Sequence, residues 1–371
     1  VGVLGGGQLA RMMAEAAVRL DVRLRVYQTS AEGPSSVLPD VHTGAWTDSE
    51  CIDAFLAGCD VVTLDNEWVD LGTVVDRLPP DVSLRPGVET MNRVRDKIRQ
   101  KAHMEAYGLP LGLYEGCHDR SSLDEVARRF GFPLVAKRPT HSYDGYGNRT
   151  VHDRTQLHAA FDELGGGGPL LVEQWVPFVQ ELAVIVARRP GGQAVAYPVT
   201  ATQQRNHKCE SVEVPAAVEH SVAELATELS LAAAEVFDCV GVVGVELFML
   251  EDGRLLLNEI APRPHNTGHY TIDACSTSQF ENHLRAVLDL PLGETTLLRP
   301  AAAMVNVLGK RLGKSQSASL ASALAVPGAS VHLYGKDVVR PGRKMGHVTA
   351  VGASIEEARN RATEAARRLE L

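Results

Sequence analysis

The 371-residue sequence is poor in aromatic residues, at 5%, with only 3 tryptophans. It has no apolar run near the ~18 residues that a membrane-spanning helix needs. Its 6 cysteines (51, 59, 117, 209, 239 and 275) are scattered, with no Cys-x-x-Cys pair. That pattern offers no disulfide framework of the small secreted kind, so reduced thiols in a cytoplasmic protein are expected. Positive charge is also in deficit: the net charge of -9 argues against general nucleic-acid binding while leaving room for a local basic pocket. The chain opens inside the strand-like run Val-Gly-Val-Leu-Gly without an initiator Met, so a few preceding residues and no signal peptide are expected. There is no internal repeat. What is present is ordinary for a soluble globular protein, with 44% apolar and 22% charged residues, and suffices for two or three cores.

Strand and helix patterns alternate up to about residue 90, with strands at 1–4, 22–27, 60–64 and 82–85 and helices at 8–20 and 51–58. Such an order predicts a doubly wound parallel sheet. One helical stretch rich in Arg and Lys should cover 89–107. Strands follow at 131–137, 170–176, 180–187 and 194–200, then a long helix at 221–237. The last part shows strands near 301–308, 330–334 and 346–351 and a closing helix at 355–369. The reading is an α/β chain, α+β overall, in three units: 1–95, 96–294 and 295–371.

The most informative residues are Glu246 and Glu259. They lie in two apolar strand-like runs, 244–250 and 255–260, joined by the polar Glu251-Asp-Gly-Arg254. If those four residues are the loop, Leu250 pairs with Leu255 and Glu246 falls opposite Glu259 on one face. Directly opposed carboxylates lie roughly 4.5–5.5 Å apart at Cβ and repel. A hard divalent cation such as Mg²⁺ would reconcile them, with Asn258 adding a neutral oxygen. The other reading is a surface hairpin with two solvated glutamates.

Other signals are weaker alone. Gly5-Gly-Gly-Gln-Leu-Ala10 fits a G-x-G-x-x-A turn at a helix N-terminus. The ribose-binding acid about 20 residues on is missing, which leaves another phosphate ligand or plain tight packing. Lys137 ends a strand before the Gly-rich segment 142–148, as suits triphosphate binding. Glu173-Gln-Trp-Val176 and Glu181 flank a bend where an adenine edge and ribose hydroxyls could be read. Arg263, His265 and His269 follow the second glutamate. Pro262, Pro264 and Gly268 rule out a helix there, so oxyanion stabilisers fit better than zinc ligands. Lys336, Arg340, Arg343 and Lys344 form a basic cluster, either a solvated turn or a clamp for a phosphate.

Together these pieces resemble the ATP-grasp superfamily, and within it the carboxyaminoimidazole ribonucleotide synthases of purine biosynthesis. The resemblance rests on 258–274, 278–286 and 290–293, with Gly5–Met12, Tyr143-Asp-Gly145, Met304–Gly309 and Gly342–His347 beside them. It implies a pre-ATP-grasp domain, an ATP-grasp domain of two subdomains and a small C-terminal domain. It also implies an ATP- and Mg²⁺-dependent ligase forming a carbon–nitrogen bond. Bicarbonate would be activated as carboxyphosphate, and the amine of aminoimidazole ribonucleotide would be carboxylated. Lys97 and Lys137 would contact phosphates, and Tyr143, Asp144, Gly145 and Gly147 would close over them. Glu173, Val176, Glu181, Gln203 and Asn258 would complete the nucleotide site, and Glu246 and Glu259 would bind the metal. Arg263 and His265 would stabilise the mixed anhydride, while Gln8, Asp144, Tyr146, Lys336 and Arg343 would hold the second substrate. A cytoplasmic homodimer is expected by analogy.

The sequence also departs from the family pattern. Tyr146 stands where Arg or Lys follows Tyr-Asp-Gly, and His141-Ser142 replaces Gly-Gly. The early Thr-x-Glu-x-Glu-Asn becomes Thr63-Leu-Asp-Asn-Glu-Trp68, and 200–209 lacks the usual Glu-Asn-x-His. The changes gather where the amine and bicarbonate should sit. A paralogue joining a different acid and amine is the alternative.

Overall fold

A computed structural model describes residues 1–142, 146–166, 168–205, 208–315 and 319–371. The first sheet has five strands in the order Val41–Thr43, Arg25–Gln28, Gly2–Leu4, Val61–Leu64 and Ser83–Leu84. All neighbours run parallel, so the doubly wound expectation holds. The short strand Val41–Thr43 lay hidden because three residues carry too little periodicity.

The second sheet is antiparallel, ordered Tyr114–Cys117, Leu170–Gln174, Leu134–Lys137 and Asn148–Val151. The third has nine strands and holds the two-glutamate hairpin, Gly241–Leu250 and Leu255–Ala261, at one edge. It continues through Phe178–Arg188, Thr200–Arg205 and Lys208–Val214 into Ala301–Leu308, Lys344–Gly352 and Ala329–Leu333. Backbone pairing thus runs unbroken across position 295. The strand expected at 194–200 divides into Ala194–Ala196 and Thr200–Arg205 around Pro198, which has no N–H for the ladder.

The helical stretch expected at 89–107 is two helices, Val88–Val94 and Lys97–Ala106. Asp96 breaks it: its Oδ1 accepts from the N–H groups of Ile98 and Arg99, making it the cap of the second helix. That break aims Lys97 and Lys101, one turn apart, at the hairpin. Helix Gln279–Val287 is buried on nearly every side and joins two cores. Its Phe280, Leu284 and Val287 pack with Leu9, Met13 and Val26 of the first unit. The remaining polar sides find partners; His283 spans Thr63 Oγ1 at 2.8 Å and the N–H of Val242 at 3.0 Å. No helix among the described residues is long and apolar enough to cross a membrane.

Candidate active site

Glu246 is directly opposite Glu259, as the sequence suggests, but by another route. The first pair above the turn is Met249 with Leu255 rather than Leu250 with Leu255, because Leu250 N–H donates to Arg254 O and the turn closes one residue early. That slip alone would send Glu259 to the wrong face. A bulge restores it: Leu247 pairs with Leu257, Glu246 with Glu259, and Asn258 is the extra residue. Burial, and then the charge of Glu259, push the Glu246 carboxyl well above the usual carboxylate range. Burial also raises Glu259, but Lys97 and Lys137 outweigh it and hold this carboxyl low. Lys97 is ion-paired with Glu259, and the Asn258 amide lies between Lys137 and Glu246. Two half-buried carboxylates, the charge of one opposing ionisation of the other, together with a carboxamide, form a hard-oxygen set that fits a magnesium ion.

The lysine-rich end of the cavity is built from three elements. Glu173, on strand Leu170–Gln174, places Oε1 2.6 Å from Lys101 Nζ and its other oxygen against Lys137. Burial alone would raise Glu173, yet Lys101 and Lys137 bring it down to about 2. Glu173, expected to contact adenosine, lines the cavity with its side chain engaged by both lysines, since a desolvated carboxylate keeps its cations. Val176, Trp175, Phe178, Phe248 and Leu257 line the apolar part of the same cavity of about 760 Å³. Glu181 lines it too, raised by burial, with Gln204 bonded to it.

Beyond the hairpin, Arg263 Nε donates to Glu67 Oε2 at 2.8 Å. Burial pushes Glu67 up and the Arg263 charge more than reverses it. His265 stands between them and Glu246, its Nε2 3.7 Å from Glu246 Oε1 and its Nδ1 2.8 Å from Thr267 Oγ1. Burial, then the charges of Arg263 and Lys344, lower His265 to about 4, so it is neutral near pH 7. The segment from Pro262 is irregular and ends in a short turn of 3-10 helix, Asn266–Gly268. Gln279 fixes it by accepting from His265 N–H at 2.9 Å and donating to His265 O at 2.8 Å.

Several expected residues fall elsewhere. The N–H groups of Gly7 and Ala10 donate to Asp65 at 3.0 and 2.8 Å, so the turn 5–10 is capped from within instead of offering these groups to a phosphate. Gln8, the next residue, does line the cavity. Strand alternation turns Gln203 outward, toward Glu213, and Gln204 inward, the bulge at this point lying on the partner strand at Glu210. Arg343, in the turn before the strand Lys344–Gly352, donates to Val338 O, whereas its buried neighbour Lys344, the first residue of that strand, faces the cavity. Lys336 donates to Lys344 O at 2.8 Å. Tyr146 is exposed, 5.8 Å from the Arg138 guanidinium, and Gly147 O accepts from Arg138 N–H. Tyr143, Asp144 and Gly145 lie outside the described residues. Trp68, stacked on His141 at 4.8 Å, lines the cavity, as do Lys101 and Asn66. Lys101 was detectable as the i+4 neighbour of Lys97 on one helix face. Nothing local in the sequence announces Trp68.

Comparison with known proteins accords with this geometry. Residues 102–280 match the ATP-grasp domain, 1–92 the ribonucleotide synthetase pre-ATP-grasp domain and 302–361 the phosphoribosylaminoimidazole carboxylase C-terminal domain. An N5-carboxyaminoimidazole ribonucleotide synthase of Synechococcus elongatus is 41% identical over 361 residues, 96% of this chain and 91% of that protein. The phosphoribosylaminoimidazole carboxylase of Ogataea methanolica is 41% identical over 97% of this chain, which spans 68% of its length. The Aspergillus clavatus carboxyaminoimidazole ribonucleotide synthase complexed with ATP superposes with a TM-score of 0.90 at 36% identity, covering 100% of this chain and 98% of that one. A second structure from that organism holds ADP and 5-aminoimidazole ribonucleotide, with a TM-score of 0.89 at 35% identity and 98% and 96% coverage. An opposed glutamate pair flanked by lysines, within three matched domains and at such identity over nearly the whole length, makes this chain a member of the carboxyaminoimidazole ribonucleotide synthase family of ATP-grasp ligases.

Proposed function

We propose that this chain uses ATP to activate bicarbonate and carboxylates the amine of aminoimidazole ribonucleotide. The observation that carries the reading is one cavity with lysines and opposed glutamates at one end and the Glu67–Arg263–His265 set beside them. The apolar wall at Val176, Phe178 and Phe248 suits an adenine ring, and Lys97 and Lys137 neutralise phosphates. Glu246, Glu259 and Asn258 would hold Mg²⁺, which when bound supplies charge neutralisation to the phosphates.

A bicarbonate oxygen takes the γ-phosphoryl group, the bond to the ADP oxygen breaks, and carboxyphosphate forms. The amine then attacks its carboxyl carbon, phosphate leaves, and one amine proton is lost. Arg263, fixed by Glu67, is placed to stabilise the anhydride oxygens. In the tautomer whose Nδ1–H donates to Thr267 Oγ1, neutral His265 carries an unprotonated Nε2, 3.7 Å from Glu246 Oε1, that can take that proton. Lys344 and Gln8 contribute the polar wall toward the second substrate.

The test is ADP release by purified protein with Mg·ATP. Stimulation by the ribonucleotide and bicarbonate together is expected, and no stimulation overturns the proposal. The outward Tyr146 and the Trp68–His141 stack favour a second reading, a ligase for another acid and amine. Stimulation by a different acid–amine pair in the same assay selects it. We also propose domain limits at 1–95, 96–294 and 295–371, and a cytoplasmic homodimer, for which light scattering should give twice the chain mass.

A further inference from the structure

Two buried lysines share one buried carboxylate beneath the phosphate end of the cavity. Glu173 gives Oε1 to Lys101 and Oε2 to Lys137. Lys101 stands on helix Lys97–Ala106, and its Nζ also donates to the backbone O of Asn258, the bulge residue, at 3.1 Å. Lys137 reaches the side-chain Oδ1 of the same Asn258 at 3.3 Å. One negative charge between two positive ones leaves a surplus of one, located where the cavity would receive an anion.

We infer that Lys101 is a positioning residue that keeps Lys137 available to the nucleotide phosphates by holding Glu173. A desolvated carboxylate must retain a cation, and breaking a buried pair from one side is strongly unfavourable. With a single lysine present, Glu173 and Lys137 would form a neutral pair, and a phosphate would have to break it. With Lys101 anchored at both Glu173 and the Asn258 carbonyl, Lys137 turns toward the phosphates while Glu173 stays compensated. The same anchor ties the bulge that sets Glu259 to the lysine pair. This inference rests on reading the cavity as a nucleotide site.

Calorimetric titration with ATP in excess Mg²⁺ tests it on the wild type, Lys101→Met, Lys101→Arg, Glu173→Gln and the double variant Lys101→Met/Glu173→Gln. Lys101→Met should weaken binding about tenfold or more, the scale of one charged hydrogen bond. Removing the Glu173 charge in that background should restore most of the loss, because Lys137 is no longer held. Lys101→Arg should bind close to wild type. A role in packing alone predicts no rescue, and so does a direct contact between Lys101 and phosphate. A double variant no better than Lys101→Met therefore overturns the inference, as does a Lys101→Met affinity equal to wild type. Should Lys101→Met fail to fold, Glu173→Gln alone decides: it should bind ATP at least as tightly as wild type, and weaker binding overturns the inference. A wild-type protein that takes up no Mg·ATP overturns instead the nucleotide reading on which the inference stands.

Discussion

Gly244 and His265 show how little room the reactive residues have. A Cβ at Gly244 would lie 2.5 and 2.6 Å from His265 Cβ and Cγ, so the neighbouring strand must pass without a side chain. Gly244→Ala should therefore displace the His265 ring and cut kcat by about tenfold or more while leaving ATP affinity near wild type, because a misplaced group costs rate steeply. Steady-state ADP release alongside ATP titration separates the two effects. Glu259→Gln should be more severe. Lys97 loses its partner and the hard-oxygen set loses a charge, so turnover should fall by about two orders of magnitude. Raising Mg²⁺ should recover part of that loss. Undiminished turnover would remove Glu259 from the mechanism.

Elements convey residues to the site through two irregularities. The Asn258 bulge reverses the facing of the strand Leu255–Ala261, so that Glu259 meets Glu246. Deleting Asn258 removes the extra residue, so the ladder becomes regular with Glu259 still opposite Glu246, and what is lost is the carboxamide between Lys137 and Glu246. The expected result is a cooperative melt with ADP release lowered by about tenfold or more, the scale of a lost hydrogen bond to a charged group, and undiminished release would mean that the carboxamide is dispensable. The second irregularity is the cap by Asp65, which satisfies two buried N–H groups at the start of helix Gln8–Arg19. Asp65→Ala orphans both, at about 1–3 kcal/mol each. Urea unfolding should register a loss of that order, whereas a phosphate ligand bound at this turn would instead require these N–H groups open.

At the scale of the whole molecule, helix Gln279–Val287 and His283 hold the first unit to the nine-stranded sheet. Burial lowers His283 to about 3, and His269 and His347 also lie well below the usual histidine range through burial. The unfolded chain takes up these protons near pH 6.5 and the folded chain does not. Stability from His283 is therefore whole above about pH 6.5 and drains away as pH falls toward 3, by up to about 1.4 kcal/mol per pH unit. Denaturation midpoints between pH 7 and 5 should fall, and His283→Gln should flatten part of that slope. An unchanged slope would show that His283 is not held neutral.

Much of this architecture was legible from the sequence because it depends on period and local chemistry. Alternating strand and helix patterns required a doubly wound sheet, apolar runs around a polar loop required a hairpin, and two glutamates within that hairpin called for a cation. The same kind of signal singled out Lys137, Arg263 and His265, the family resemblance added Lys97, and all four line one cavity. The sequence could not say which way single residues turn once irregular pairing intervenes. A bulge placed Asn258 in the cavity, alternation sent Gln204 inward and Gln203 away, and the strand that begins at Lys344 brought that residue to the cavity in place of Arg343. Asp65, Lys101 and Trp68 acquired their partners from segments distant in sequence. Local propensity carries element type and chemistry. The direction and company of each side chain follow from packing and from the need to satisfy every buried charge, and only the tertiary structure decides those.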